Sequence, residues 1–501
     1  MSSPQTETPA IIEPVMGLRA SLVRQTLEFL VILTVGILLI RTFTAEAYVV
    51  PTGSMAPTLL GNHEEVVCSS CSMRFALGLA EDGQEEEAIC PNCGEVAPDN
   101  RVRVPCSGDR LLVQKGLFDL RQPRRWEVAV FQFPGDPTQA YVKRVVGLPG
   151  ESVRIFGGDV YIDGRVARKS LQEQRAIRIL VYDSQYTTGN STRVPRFQFV
   201  KGPVWASSSL PTGWQIQEGQ LQFEAQPTGH LDRKALNLPS RHQVEGIDWA
   251  EYRHRDPDRG RYTPVYDFNA YNGKALRGEN RVTDLMVEID LKAQSDVPIV
   301  YLRLSFGSER FLVSLPIGPG GWATLKRNGR SVETTNPVAI EATAATSPST
   351  HKLEASVMDR RLIVALDGVP LFDPIDYDDP SPAYPSYDRP FAIGASSGSI
   401  TVARVKLYRD VYYTSVLTGA PRRAFGVDQP YHLGENEFFV LGDNSAVSND
   451  SRFWGPSPVV KRDLFLGKPF LVHLPGQMVP LEVFGRSVYW VPDPREIRYI
   501  R

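Results

Sequence analysis

One apolar run near the start of the chain, residues 27–40, limits what the remainder can become. It is broken only by Glu28, Thr34 and Gly36, with Arg19 and Arg24 before it and Arg41 after it. A full membrane span needs about 20 residues, reached here by taking in residues 42–45 while Glu28 and Arg41 snorkel to the interface. No later segment holds 18 apolar residues in a row, so one span is the limit. The arginines ahead of the run put the N-terminus in the cytoplasm, and Arg41 on the far side blunts that asymmetry. Two other readings stay open. Ala45-Glu46-Ala47 has the form of a leader cleavage site, and the run could equally be a helix buried in a soluble core.

Past residue 45 the texture is that of short strands. The 501 residues are too many for one ordinary core, and 40 glycines with 39 prolines favour turns over long helices. Strands are expected at 110–113, 128–133, 141–146, 153–155 and 160–162. Their turns are marked by Pro134-Gly135-Asp136, Pro149-Gly150 and Asp163-Gly164. From 178 to 412, apolar runs recur between polar turns, at 221–223, 285–291, 299–306, 311–315, 352–357, 362–366, 391–395 and 400–408. That spacing predicts an antiparallel sandwich of its own. The expected order is a cytoplasmic tail (1–25), an anchor (26–45), a first β segment (46–67) and a cysteine-bearing insertion (68–100). A second β segment (101–177), the inserted sandwich (178–412) and a last β segment (413–501) follow. The net charge of −2 gives no electrostatic footprint for nucleic acid.

Three stretches could carry chemistry. Ser54 sits in Pro51-Thr52-Gly53-Ser54-Met55-Ala56-Pro57-Thr58, where Gly53 permits a backbone that leaves the hydroxyl exposed. A hydroxyl is a weak nucleophile without a base. None of the seven histidines lies in a triad-like setting, and no Gly-x-Ser-x-Gly elbow occurs, which leaves lysine as the candidate base. Lys143 lies in a strand, so it shares a face with Val145 while Arg144 and Val146 point the other way. Facing an apolar interior, its pKa would fall from ~10.4 toward neutrality. The third stretch runs from Gly442 through Asp443, Ser448, Asp450 and Arg452 to Gly455 and is dense in small polar residues. Alone, these are a turn serine, a strand lysine and a polar loop.

In this order, behind an apolar segment, the three stretches resemble bacterial type I signal peptidases. So do Ser107-Gly108-Asp109-Arg110 and Arg125-Trp126-Glu127-Val128. The resemblance covers roughly residues 25–67, 101–175 and 430–475. It implies a mainly β fold: a signal-peptidase-type β catalytic domain with one N-terminal transmembrane helix, here with an inserted antiparallel sandwich or jelly roll. It implies Ser54 as nucleophile, Lys143 as general base and Ser448 as the hydroxyl orienting that lysine. Thr52 would supply an oxyanion donor with the Ser54 N–H, and Asp443 with Arg144 and Asp450 with Arg452 would brace the last loop. The implied partners are preprotein signal peptides cut after Ala-x-Ala-like sites, and membrane lipid. The implied location is the cytoplasmic membrane, with the catalytic domain outside and no cofactor for catalysis.

Two insertions depart from that pattern. Cys68-x-x-Cys71 and Cys90-x-x-Cys93 look like a zinc ribbon with a structural zinc, around an acidic centre at 81–87. An oxidising compartment leaves disulfides as one alternative, and a degenerate remnant of the motif is the other. Four thiolates leave no open position for catalysis, and Cys106 reads as a small buried residue. The sandwich has the texture of a laminin-G/concanavalin-like fold, for which a cell-envelope glycan is a candidate ligand. The competing functional class is a catalytically inactive, membrane-tethered envelope- or carbohydrate-binding protein on the same scaffold.

Overall fold

The computed structural model describes residues 16–43, 45–79, 87–96, 103–187, 195–201, 212–217, 219–225, 247–257, 259–273, 278–293, 299–306, 309–317, 320–340, 350–378, 388–414, 424–473, 476–477, 481–483, 486–488, 491–492, 494 and 497–500. The expected acidic centre of the cysteine insertion falls outside these residues except at Glu87, as does most of the expected N-terminal tail. The proline-free stretch rich in Leu, Ile and Val forms helix α1, Met16–Phe43. Its described apolar side chains, among them Leu27, Phe29 and Ile32, are exposed, so residues 23–35 of the helix are not buried against the rest of the chain. No helix among the described residues is long and apolar enough to cross a membrane.

Directly after α1 the chain enters a sheet. Strand β1 (Ala45–Val49) pairs with Arg110–Lys115, Ala45 facing Gln114, so the Ala45-Glu46-Ala47 triplet is held in a ladder. The next three strands are β2 (His63–Val67), β3 (Arg74–Gly78) and β4 (Arg103–Cys106), followed by β5 (Arg110–Lys115), β6 (Val128–Phe133) and β7 (Asp136–Gly147). The main sheet is antiparallel in the order β1, β5, Phe465–Val472, β6, β7, Glu437–Leu441 and Val460–Lys461. β7 therefore pairs with its hairpin neighbour on one side, Ala129 opposite Lys143, and with a segment from far later in the chain on the other, Leu441 opposite Arg144. One apolar cluster holds Val50, Met55, Leu59, Leu111 and Val128, and another holds Ala129, Phe131, Val145, Phe438 and Trp454. Val145 belongs to the second and Val146 to a third, as strand alternation requires.

The largest core lies between a nine-stranded and a seven-stranded antiparallel sheet, both built from residues 179–409. Leu285–Ala293 and Thr350–Met358 face Ile299–Phe306 and Glu309–Pro316 across it. Alternate residues Phe311, Val313 and Leu315 are buried, each worth roughly 1.5–3 kcal/mol. This sandwich is entered by Ile179–Asp183 and left by Ser399–Arg409, which are paired, Ile179 opposite Arg409. Entry and exit side by side let a domain hang from a host sheet without distorting it.

The cysteines are carried by paired turns. β2 pairs with both β3 and β4, and the β2–β3 connection is the first knuckle. There Cys68 N–H donates to Met73 O and Ser72 N–H to Cys68 O, both 2.8 Å. The second knuckle repeats the pattern, Cys90 N–H to Glu95 O and Gly94 N–H to Cys90 O, both 2.9 Å. Each turn needs a left-handed residue at the fifth position, Ser72 at φ 63° and Gly94 at φ 74°.

Candidate functional site

Ser54 sits in the turn Gly53–Met55, which leads off from Pro51-Thr52 and is pinned by the burial of Met55, Ala56 and Leu59. Lys143 reaches it from β7, an interior strand of the main sheet, and its Nζ lies 2.6 Å from Ser54 Oγ. As an ammonium the lysine donates to the hydroxyl; as a neutral amine its lone pair faces the hydroxyl proton. Burial lowers the Lys143 pKa to about 8, against the opposing pull of Asp450 and Asp443, while Arg452 lowers it further. Only 4 % of the residue is exposed, so desolvation governs the shift. The Tyr141 ring stands 5.5 Å from the same Nζ.

The loop after Glu437–Leu441 closes the site from below. Asp443 takes Arg144 bidentately, Nε to Oδ1 at 2.8 Å and Nη2 to Oδ2 at 2.6 Å, with both side chains fully buried. Arg144 also donates to Trp126 O, and Thr58 Oγ1 donates to Asp443 Oδ2. Asp450 and Arg452 make the same fork, at 2.9 and 2.8 Å, and Asp450 also accepts from Gly442 N–H. The two fully buried ion pairs fix the loop's path beside the serine. Ser448 is buried under it, and its hydroxyl has no hydrogen-bond partner, whereas the family resemblance implied a bond to Lys143. It packs instead where a Gly442 Cβ would be, 2.1 Å from that position, with Ser54 O at 2.5 Å from it. Thr52 is exposed on the rim of a cleft of about 1010 Å³ that also holds Ser54 and Lys143. A hydroxyl, a buried amine with a lowered pKa and an adjacent donor rim are the parts needed for acyl transfer.

Residues 267–273 of the sandwich also line this cleft, through Tyr271 and Asn272. Sequence reasoning missed them. The only local signal is turn chemistry, Asn269 accepting from Tyr271 N–H at 3.1 Å, and turns of that kind are everywhere on such domains.

The four cysteine sulfurs lie within 4.8 Å of one another and are all buried. The Cys68–Cys93 and Cys71–Cys90 sulfurs are 3.5 and 3.6 Å apart, beyond the ~2.0 Å of an S–S bond. A tetrahedral zinc at ~2.3 Å from each sulfur asks for edges of about 3.8 Å, so the donor set fits that ion. Cys106 is buried apart from them, its Sγ against Val104 O.

The fold and site together are those of a serine peptidase scaffold. The family model described as "Signal peptidase, peptidase S26" matches residues 23–209 and 403–474, just over half of the chain, and the chain belongs to that family. "Probable signal peptidase I-2" of Synechocystis sp. is 30 % identical over 28 % of this chain and 45 % of its own length. "Signal peptidase I" of Pseudomonas fluorescens is 31 % identical over 27 % of this chain and 36 % of its own. The chain thus spans under half the length of these two curated relatives. Among solved structures, the Bacillus subtilis carbohydrate-binding module CBM66 aligns at 10 % identity and TM-score 0.21. That alignment covers 43 % of this chain and 92 % of that one, a likeness too weak to carry an argument.

Proposed function

We propose that this chain is a membrane-anchored signal peptidase acting through a Ser54–Lys143 dyad. The observation that carries the proposal is the 2.6 Å approach of Ser54 Oγ to a buried lysine whose pKa is lowered to about 8. Neutral Lys143 takes the hydroxyl proton as Ser54 Oγ bonds to the scissile carbonyl carbon. The resulting ammonium returns that proton to the leaving amine, and water then releases the acyl group from the serine. The Ser54 N–H and the Thr52 hydroxyl stabilise the oxyanion. Ser448 turns its unpartnered hydroxyl to Lys143 during the cycle, and the Asp443–Arg144 and Asp450–Arg452 pairs hold the loop. The substrates are preproteins with small residues before the cut, as in Ala-x-Ala.

Helix α1, with exposed apolar side chains immediately ahead of β1, anchors the catalytic sheet at the outer face of the cytoplasmic membrane. A structural zinc on Cys68, Cys71, Cys90 and Cys93 staples the first insertion and takes no part in the chemistry. A glycan on the sandwich draws no support from any named residue, so the proposal rests on the cleft alone. The test is cleavage of a preprotein bearing an Ala-x-Ala site by the detergent-purified chain. Wild type should cut there, and Ser54→Ala and Lys143→Ala should not. A folded but inert wild type, or equal cutting by Ser54→Ala, would leave the non-catalytic tethered protein as the better account.

A further inference from the structure

The inserted sandwich does more than hang from the catalytic sheet. Its turn Ala270–Asn272 is docked onto the nucleophile segment at several points. Asn269 Nδ2 donates to Ala56 O (3.3 Å), and Tyr271 OH donates to Asn62 O (3.0 Å). Asn272 and Asn444 exchange a reciprocal pair of amide hydrogen bonds, at 2.8 and 2.7 Å. Asn444 then donates its Nδ2 to Gly53 O (2.9 Å) and its backbone N–H to Ser54 O (3.0 Å).

The chemistry of the amide gives this pairing a direction. An asparagine can turn over at little steric cost, exchanging its oxygen for its nitrogen. If Asn444 turned over, its oxygen would oppose the Gly53 carbonyl. The Gly53 carbonyl selects the orientation that donates to it, and Asn272, whose Oδ1 and Nδ2 match that orientation, closes the pair behind Asn444 and resists a turn-over of Asn444 alone. The Tyr271 ring lies over the same spot: a Cβ on Gly53 would stand 2.1 Å from Cε1, and one on Gly78 2.4 Å. Glycine at position 53 is permissive, so the carbonyl that sets the path of Ser54 depends on an outside anchor.

We propose that the inserted domain builds one wall of the peptidase cleft, with Asn272 a positioning residue for the Ser54 backbone and Tyr271 a specificity-determining residue. Asn272 acts through Asn444. Tyr271 limits the room for substrate side chains lying beside Gly53. The inference rests on the peptidase reading above.

The experiment uses the full chain in detergent and fluorogenic peptides with Ala-Gln-Ala before the cut, or with Leu replacing either Ala. Asn272→Ala should lower kcat roughly 10- to 100-fold while KM moves less than twofold, because the nucleophile is misplaced rather than the peptide released. Asn272→Gln, which keeps an amide, should recover part of the kcat. Tyr271→Ala should raise the ratio of kcat/KM for a Leu peptide over the Ala peptide about tenfold, and Tyr271→Phe should leave that ratio unchanged. Melting temperatures of all four variants are taken alongside. Wild-type kcat in Asn272→Ala overturns the positioning role, as does a loss that Asn272→Gln shares in full. An unchanged ratio in Tyr271→Ala overturns the specificity role. If wild type cleaves and Ser54→Ala does not, those failures belong to this inference alone. If wild type cleaves nothing, the peptidase reading fails and this one falls with it.

Discussion

Replacing Lys143 by methionine should abolish cleavage and at the same time stabilise the protein near pH 7. The side chain is buried, and burial has brought its pKa from 10.5 to about 8. A displacement of that size corresponds to roughly 3 kcal/mol spent on holding the charge. The sign follows from proton binding. Between pH 8 and 10.5 the unfolded chain binds the proton that the folded chain has already released, so stability rises with pH across that window. The penalty is therefore fully present below pH 8 and has gone by about pH 10.5. Methionine, close to lysine in length and uncharged, removes it at all pH values. The variant should gain up to about 3 kcal/mol over wild type at pH 7, less whatever the bond to Ser54 Oγ contributes, and the gain should vanish near pH 10. Under the proposed Ser54–Lys143 dyad the same titration sets the cleavage rate. Only about a tenth of Lys143 is neutral at pH 7, and about nine-tenths at pH 9, so wild-type kcat/KM should rise roughly ninefold between them and then level off. The assay is a pH–rate profile on a fluorogenic peptide, with urea unfolding of both proteins at pH 7 and 10. A flat profile, a rise continuing past pH 10, or a methionine variant less stable than wild type at pH 7 would refute the reasoning.

Two further outcomes follow from the buried charges and the cysteines. Asp443→Ala leaves Arg144 charged, fully buried and without its fork, which should cost about 3–5 kcal/mol in urea unfolding; Asp443→Asn, which keeps one acceptor, should lose less, and a cost under 1 kcal/mol in the alanine variant would show that water reaches the arginine. Cys90→Ser should lower zinc from one ion per chain to near zero by elemental analysis and loosen the sandwich, because Asn92 and Cys93 accept from Arg196 and Arg255 through their backbone oxygens. Detection of two disulfides in the wild-type protein by mass spectrometry would instead sink the zinc assignment.

Strands that alternate between glycine- or aspartate-marked turns were legible from composition and spacing. Val128–Phe133, Ile299–Phe306 and Phe391–Ala395 form over the residues the pattern indicated. Asp248–Tyr252 was not, and the reason is electrostatic. All five of its residues are buried, including two carboxylates that read as solvent-facing. Glu251 is held by Arg303 and Arg389, at 2.6 and 2.9 Å, and Asp248 accepts from Gly213 N–H. Buried ion pairs erase the polar-out signal on which period-two reading depends. At the site, Ser54, Lys143 and the two Arg–Asp pairs were legible through resemblance to a family. Asn272 was not, because it meets Asn444 across 172 residues and belongs to an insertion outside the matched segments.

That blind spot bears on how the insertion should be understood. A passenger domain needs only its stalk, and the pairing of Ile179 with Arg409 already supplies one. The sandwich nevertheless commits a tyrosine and two asparagines to the carbonyls of Ala56 and Asn62 and to the Asn444 amide beside Ser54. Polar side chains that reach across a domain boundary must each be desolvated, and partners that are missed by an ångström cost more than they return. A docking of that kind holds its register only if the sandwich is rigid, which the large apolar core provides. Under the proposed positioning role, rigidity at the stalk and core becomes precision at Ser54, and changes in the sandwich far from Ser54 should be felt first in kcat.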